Sequence, residues 1–458
     1  MQPPLPPALL ASLEHIKGFE KDAFIQAHEP SQQVTSVRMN PFKRFNEDCS
    51  ILKIRGKVPW SSEGYYLQER PSFTADPLFH AGAYYVQEAS SMFLEETLRQ
   101  TVDLSMPLKV LDLCAAPGGK STLIQSLISP ESILVSNEVI KTRVPVLAEN
   151  LTKWGAANVV VTSNDPKDFS RLEGYFDVIV VDAPCSGSGL FRKDPAAIDE
   201  WSPGNVAMCS QRQQRILADV MPSLKPGGVL IYATCSYSEE EDETIASWLP
   251  DAYPLESRRL NIHPDWHIVE TISGNRQAAG YRFFPNLLNG EGFFMAAFQH
   301  TGIATPGKDN RRKNKLALPP KQSIEAVKPW LKESSELSFF EWQDHLLAVP
   351  YSLLNELPVL QSALYIKKAG VTLGTVIRNE LIPGHELAMS TLLNKQVHVI
   401  EADRETALQF LRRAAVDIST SQQGWAVFTY GHLPLGWVKV LPGRINNYYP
   451  KDWRILNK

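Results

Sequence analysis

Between residues 108 and 236, short apolar runs alternate with longer amphipathic ones, and this alternation constrains the fold more than any other feature of the chain. Strand-like runs occur at LKVLDL, SILVSNEV, NVVVTSND, YFDVIVVDA and GVLIYATCS. The helix-like segments KSTLIQSLI, TRVPVLAENLTKWG and NVAMCSQRQQRILADVMPSL separate them. Strand and helix alternating over this length build an α/β unit with a mostly parallel sheet. GEGFFMAAFQ, at residues 290–299, adds one more strand. In an open α/β sheet, ligands bind beyond the carboxyl ends of the strands, so function is sought in the residues that follow each one.

Those positions are chemically loaded. CAAPGGKS (114–121) follows the first strand, and its two glycines let the backbone approach a ligand closely before a helix begins. Glu138 follows the second, about 20 residues beyond the glycine turn, where a carboxylate can accept hydrogen bonds from both ribose hydroxyls. The third strand ends in Asp165 and the fourth in Asp182. A lone acid at a strand end is more often a helix cap than a ligand. Four strand ends in register with a glycine turn describe a nucleoside cofactor site instead. The turn lacks both GxGxxG and the P-loop spacing, which argues against NAD and ATP.

The five cysteines (Cys49, Cys114, Cys185, Cys209 and Cys235) include no CxxC pair, so neither a disulfide framework nor a metal site is expected. A free cysteine is usually a small buried hydrophobe, and Cys49 and Cys209 read that way. Cys185 (DAPCSGSG) and Cys235 (ATCSYS) differ, because both lie at strand ends. Pro184, Gly187 and Gly189 favour an open loop around Cys185. Five carboxylates at 239–243 follow Cys235, and negative charge opposes a thiolate. Glu239, Glu240, Glu241, Asp242 and Glu243 read as the first turn of a helix, pointing to solvent and screened from the thiol.

Residues 1–98 mix helix and strand signals, with a strand at QVTSVRMNP and a helix at QEASSMFLEETL. Residues 301–328 lack apolar periodicity and read as a basic linker, with five Lys/Arg against one Asp in 307–318. Residues 329–458 read as a separate C-terminal, β-rich unit, whose removal is expected to leave cofactor affinity unchanged. In its tail Trp437, Tyr448, Tyr449 and Trp453 lie among Lys439, Arg444, Lys451, Arg454 and Lys458. Such aromatics either stack on RNA bases or fill the core of a small domain. The net charge of -4 excludes a uniformly basic coat, whereas local basic surfaces suit a polyanion contacted at defined places. No apolar run reaches the roughly 18 residues of a membrane span and no signal peptide is recognisable, so a cytoplasmic protein is expected.

LDLCAAPGGKS, DAPCSGSG, ATCSYSEEEDE and GYRFFPNLLNGEGFFMAAF, preceded by TSVRMNP and YYVQEASS, resemble the motifs of Sun-type RNA (cytosine-5) methyltransferases. Together they cover most of residues 33–300. GHLPLGWVKV and GRINNYYPK resemble the PUA-like tail of a bacterial branch of that family acting on small-subunit (16S) ribosomal RNA. The resemblance implies a Rossmann-like, S-adenosylmethionine-dependent core at 99–300. It further implies an N-terminal α+β RNA-binding domain at 1–98 and a PUA-like domain at 329–458.

By the same resemblance, Cys114, Ala115, Ala116, Pro117, Gly118, Gly119 and Lys120 surround the methionine end of the cofactor, and Glu138 holds its ribose. Asp165 would contact the adenine amino group, and Asp182 would sit between cofactor and target base. Cys235 matches the nucleophile, and Cys185 matches the cysteine that assists product release. Cytosine carbon 5 is a weak nucleophile, and a thiolate adding at carbon 6 divides one hard step into easier ones. Charge then builds at ring nitrogen 3, where Asp182 is expected to supply a proton. The implied partner is small-subunit ribosomal RNA or the subunit itself, with no DNA or membrane and a monomeric enzyme. Alternatives are the same reaction on transfer RNA and a non-catalytic role in ribosome assembly.

Overall fold

The structure, a computed structural model, describes residues 3–29, 33–303, 317–332, 336–416, 420 and 422–456. Two short helices, Pro7–Leu13 and Lys21–Ala27, precede a four-stranded antiparallel sheet. Its strands are β1 (Ser36–Met39), β2 (Ile54–Lys57), β3 (Gly64–Leu67) and β4 (Tyr84–Val86), in the order β2-β3-β1-β4.

The apolar runs that follow become the strands β5 (Lys109–Asp112), β6 (Ile133–Asn137), β7 (Val159–Thr162), β8 (Phe176–Asp182) and β9 (Leu224–Thr234). They run parallel in the order β9-β8-β5-β6-β7. Alternate residues face opposite sides of a strand, and here both sides are buried. Leu111, Val135, Val160 and Ile179 pack in one core, and Val110, Leu134, Val161 and Val180 in the other. The strand order reverses between β5 and β8, which opens a crevice at their carboxyl ends. The strands β10 (Leu255–Ser257), β11 (Val269–Ser273), β12 (Ala278–Phe283) and β13 (Phe293–His300) complete that flank with antiparallel pairing.

The C-terminal region is not the separate unit that its sequence suggested. The strands β14 (Leu337–Trp342), β15 (His345–Pro350), β17 (Val371–Ile377) and β18 (Glu380–Pro383) form a sheet, but β16 (Ile366–Ala369) leaves it and pairs antiparallel with β7. Phe340, Val349, Leu357 and Leu360 share a buried core with the catalytic sheet. The last sheet, β19 (Val399–Glu401), β20 (Gly424–Tyr430), β21 (Leu433–Leu441) and β22 (Arg444–Asn447), shares its core with Val37, Leu67, Phe73 and Leu78 of the N-terminal region. Composition cannot announce such sharing, because an apolar face reads alike whichever partner covers it.

Trp437 and Tyr449 are each 1% exposed; Tyr449 belongs to that last core and Trp437 to a further one with Leu346, Val371 and Val427, whereas Tyr448 is 42% exposed. Within the expected linker, Lys321–Val327 is a short helix, while 304–316, which holds most of the basic stretch, lies outside the described residues. Among the described residues no helix is long and apolar enough to cross a membrane.

Candidate active site

A cavity of about 400 Å³ opens at the crevice between β5 and β8. The β5 end turns sharply, and Gly118, at φ +114°, occupies a backbone region that side chains rarely adopt as it caps the helix Gly119–Leu127. Cys114, Ala115, Ala116, Pro117, Gly119 and Lys120 of this turn line the cavity with Asp182 and Cys235. Asp112, fully buried beneath the turn, accepts a hydrogen bond from Ser121 Oγ at 2.6 Å. Burial pushes its carboxyl up to about 7, against that bond and the charge of Lys120.

Lys120 reaches across the cavity to Asp182, with Nζ–Oδ2 at 2.7 Å and the ammonium 5.1 Å from the Phe293 ring centre. Burial alone would lower Lys120, but the Asp182 carboxylate outweighs it and holds the ammonium above its ordinary range. In this pair Lys120 donates and Asp182 accepts.

The two cysteines meet. Cys185 Sγ lies 3.0 Å from Cys235 Sγ, and Cys235, unlike Cys185, is part of the cavity wall. The hydrogen bond to Cys235, burial and the charges of Cys235 and Glu241 all hold the Cys185 thiol well above the usual range. Gly189 permits this approach: a Cβ there would lie 2.3 Å from Gly292 O and 2.7 Å from Cys235 O. Its N–H donates to Cys235 O at 2.9 Å.

The acidic run after Cys235 departs from the sequence expectation. Glu239 and Glu240 are exposed, but Glu241, Asp242 and Glu243 are buried, and the helix begins only at Glu243. Glu241 accepts four hydrogen bonds: from Ser186 N (2.8 Å), Ser186 Oγ (2.5 Å), Ser236 Oγ (2.7 Å) and Gln213 Nε2 (3.1 Å). Ser186 and Ser236 each follow one of the cysteines, so a single carboxylate ties the two cysteine loops together. Burial pushes the Glu241 carboxyl upward, opposed by these bonds. Asp242 and Glu243 pair with Arg282, at 3.2 Å for Arg282 Nη1–Asp242 Oδ2 and 2.6 Å for Arg282 Nε–Glu243 Oε1. Asp242 and Glu243 are thus committed to Arg282, while the Glu241 charge stays beside the cysteine loops that it ties together.

Glu138 and Asp165 stand at the ends of β6 and β7 but outside the cavity wall. Buried Glu138 accepts from Ile140 N at 2.8 Å and lies 3.5 Å from Arg143. Asp165 caps the turn Pro166–Arg171 through Lys167 N at 3.2 Å.

Residues 100–299 match the family described as 16S rRNA methyltransferase RsmB/F. Residues 5–89 match the N-terminal domain of 16S rRNA methyltransferase RsmF, and 397–455 match the methyltransferase RsmF PUA domain. The chain is 30% identical over 436 residues to Ribosomal RNA small subunit methyltransferase F of Klebsiella pneumoniae (strain 342), covering 91% of this chain and 89% of that protein. The chain belongs to the ribosomal RNA small subunit methyltransferase F family. A relative of the same name from Aliivibrio fischeri (strain MJ11) is 28% identical across 98% of this chain and 97% of its own. Among solved structures, a methyltransferase homolog protein from Pyrococcus horikoshii is 28% identical with a TM-score of 0.51, covering 64% of this chain and 99% of that one.

The N-terminal region, for which the sequence suggests only RNA binding, also lines the cavity of this methyltransferase. Tyr85, Gln87, Glu88 and Ser91, from YYVQEASS, line it. Glu88 holds Ser90 N and Ser91 N at 2.9 Å and Glu291 N at 2.8 Å, which fixes two segments of the wall. Buried Arg38 donates to Gln87 Oε1 at 2.7 Å and Thr122 Oγ1 at 2.6 Å, which docks β1 onto the helix that begins at Gly119. Lys193 and Arg143 add positive charge to the wall. No spacing in the sequence marked either one. Val139 and Ile140, which follow Glu138, are 51% and 49% exposed and form an unexpected apolar surface.

Proposed function

We propose that this methyltransferase transfers a methyl group from S-adenosylmethionine to carbon 5 of a cytosine in small-subunit ribosomal RNA, through a covalent bond between Cys235 and carbon 6. The supporting observation is the placement of Cys235 on the cavity wall with Lys120 and Asp182, and of Cys185 behind it at 3.0 Å. The residues suit the cofactor: a cavity of ligand size lined by a glycine turn and Asp182, with Glu138 and Asp165 beyond its wall at the ends of β6 and β7. We assign Cys114 to Lys120 to its methionine end, Glu138 to its ribose, Asp165 to its adenine and Asp182 to the space between cofactor and base. When bound, it supplies an electrophilic methyl group beside carbon 5.

The thiolate of Cys235 adds to carbon 6, and the charge driven into the ring is met at nitrogen 3 by the Lys120 ammonium, which Asp182 orients. That assignment replaces a protonated Asp182 with the donor that the ion pair contains. After methylation the carbon 5 proton is lost to solvent and the Cys235–carbon 6 bond breaks. Cys185 offers its S–H as a hydrogen bond to the departing sulfur, so Cys235 leaves as the thiolate that began the cycle, and Lys120 recovers its proton from nitrogen 3. Residues 1–98 and 329–458 flank the 99–300 core, and we assign RNA binding to both.

The test separates the two thiols. Cys235→Ala should abolish methylation and form no covalent RNA adduct, whereas Cys185→Ala should stall as an adduct that survives denaturing electrophoresis and vanishes in the double variant. An adduct with Cys235→Ala and none with Cys185→Ala would reverse the roles. Mapping 5-methylcytosine in RNA from cells with and without the gene tests the substrate, and a lost mark in transfer RNA alone would overturn the ribosomal assignment.

A further inference from the structure

We propose that the C-terminal segment 337–369 is a working part of the cofactor site, with Asn164 as the positioning residue that ties β16 to the adenine end. The inference rests on the reading of Asp165 as the adenine contact.

β16 covers the outer edge of β7, with Ile366 opposite Thr162 and Ala369 opposite Val160. Gly370 N donates to Val159 O at 3.0 Å, and Ser163 N donates to Tyr365 O at 3.1 Å. Where the ladder ends, a side chain continues it: Tyr365 N donates to Asn164 Oδ1 at 2.8 Å, across 201 positions of sequence.

The same asparagine leads inward. Asn164 N donates to Asn137 Oδ1 at 3.0 Å, and Asn137 Nδ2 donates to Asn164 O at 3.0 Å and Leu113 O at 3.1 Å. Ala115 N donates to Asn137 O at 2.8 Å. A line of buried amides therefore runs from β16, through the ends of β7 and β6, to the turn that lines the cavity. Each member is satisfied by its neighbours, so removing one leaves buried groups unpaired.

Asp165 immediately follows Asn164, and the turn it caps is braced from the same direction. Asn164 Nδ2 donates to Asp168 Oδ2 at 3.0 Å. Arg171 Nη1 donates to Ala363 O at 3.2 Å, and Leu360, Ala363 and Ile366 share one buried core with Phe169 and Leu172 of the turn. The adenine end is thus shaped by chain that lies outside the matched methyltransferase segment 100–299.

The test uses the full-length chain and calorimetric titration with S-adenosylmethionine in the absence of RNA. Asn164→Ala removes the acceptor, and Tyr365→Pro removes the donor that immediately precedes β16. Both should weaken cofactor binding at least fivefold and raise cofactor KM, with kcat within twofold and RNA affinity unchanged. Lys367→Ala, exposed on the same strand, should bind cofactor within twofold of wild type. Wild-type affinity in both Asn164→Ala and Tyr365→Pro would overturn the inference alone, as would an equal loss of kcat and RNA affinity. Failure of the wild-type chain to bind the cofactor would overturn the reading of the site itself, and this inference with it.

Discussion

Glu241→Gln tests whether one buried carboxylate holds the two cysteines in register. The substitution keeps the shape of the side chain but replaces the oxygen that accepts from Ser186 Oγ at 2.5 Å and Ser236 Oγ at 2.7 Å. Hydrogen bonds to a charged acceptor contribute about 1.5–3 kcal/mol each, so losing two sets an upper limit of roughly 3–6 kcal/mol. Burial, which pushes the Glu241 carboxyl upward, offsets part of this, and the hydroxyls can turn to accept from the new amide. The expected loss of stability is about 2 kcal/mol, read by urea denaturation. The effect on rate should be larger in proportion. Ser186 and Ser236 adjoin the sulfurs, and a displacement of about 1 Å at a reacting atom costs about 10²-fold. Single-turnover methyl transfer at saturating cofactor should therefore fall about 10²-fold, with RNA affinity unchanged. Ser236→Ala, which removes one donor of four, should fall between. A Glu241→Gln protein that loses stability yet transfers methyl at the wild-type rate would refute the clamp.

Lys120→Met should lower the single-turnover rate at least about 10²-fold, because it removes the donor proposed for nitrogen 3. An unchanged rate in stopped assays would return that role to Asp182. Gly189→Ala should destabilise by at least about 2 kcal/mol in urea, since its Cβ would meet backbone at 2.3 Å. Gly187→Ala has nothing within 4 Å of its Cβ and carries only the strain of φ +76°, about 1 kcal/mol. Burial lowers His28 to about 4, so its folded form favours the neutral ring, and the stability it contributes is present above 6.5 and lost as pH falls toward 4. Holding the ring at about 4 instead of 6.5 is worth about 3 kcal/mol, so urea denaturation at pH 7 and pH 4 should show His28→Gln gaining that much on wild type.

The catalytic edge was legible in the sequence because parallel strands place all their carboxyl ends on one side. Cys114 to Lys120, Asp182, Cys185 and Cys235 could be gathered there from strand-like runs and turn residues alone, and the structure brings them round one crevice. Cys49 and Cys209 were set aside correctly as packing residues, for Cys209 is buried and Cys49 packs against the core shared by the N- and C-terminal regions. Two things escaped. The acids of 239–243 looked solvated because charge alone predicts exposure, whereas burial of Glu241, Asp242 and Glu243 depends on Ser186, Gln213 and Arg282, which come from other segments. β16 has only four residues, IKKA, and nothing in so short a run names its partner. Its place was decided by β7, whose outer edge offered unpaired backbone groups to a strand about 200 positions away. Local pattern determines which residues can stand at the edge of a sheet. Which charges are buried, and which distant strand completes that sheet, is settled only when desolvated groups must find partners in three dimensions.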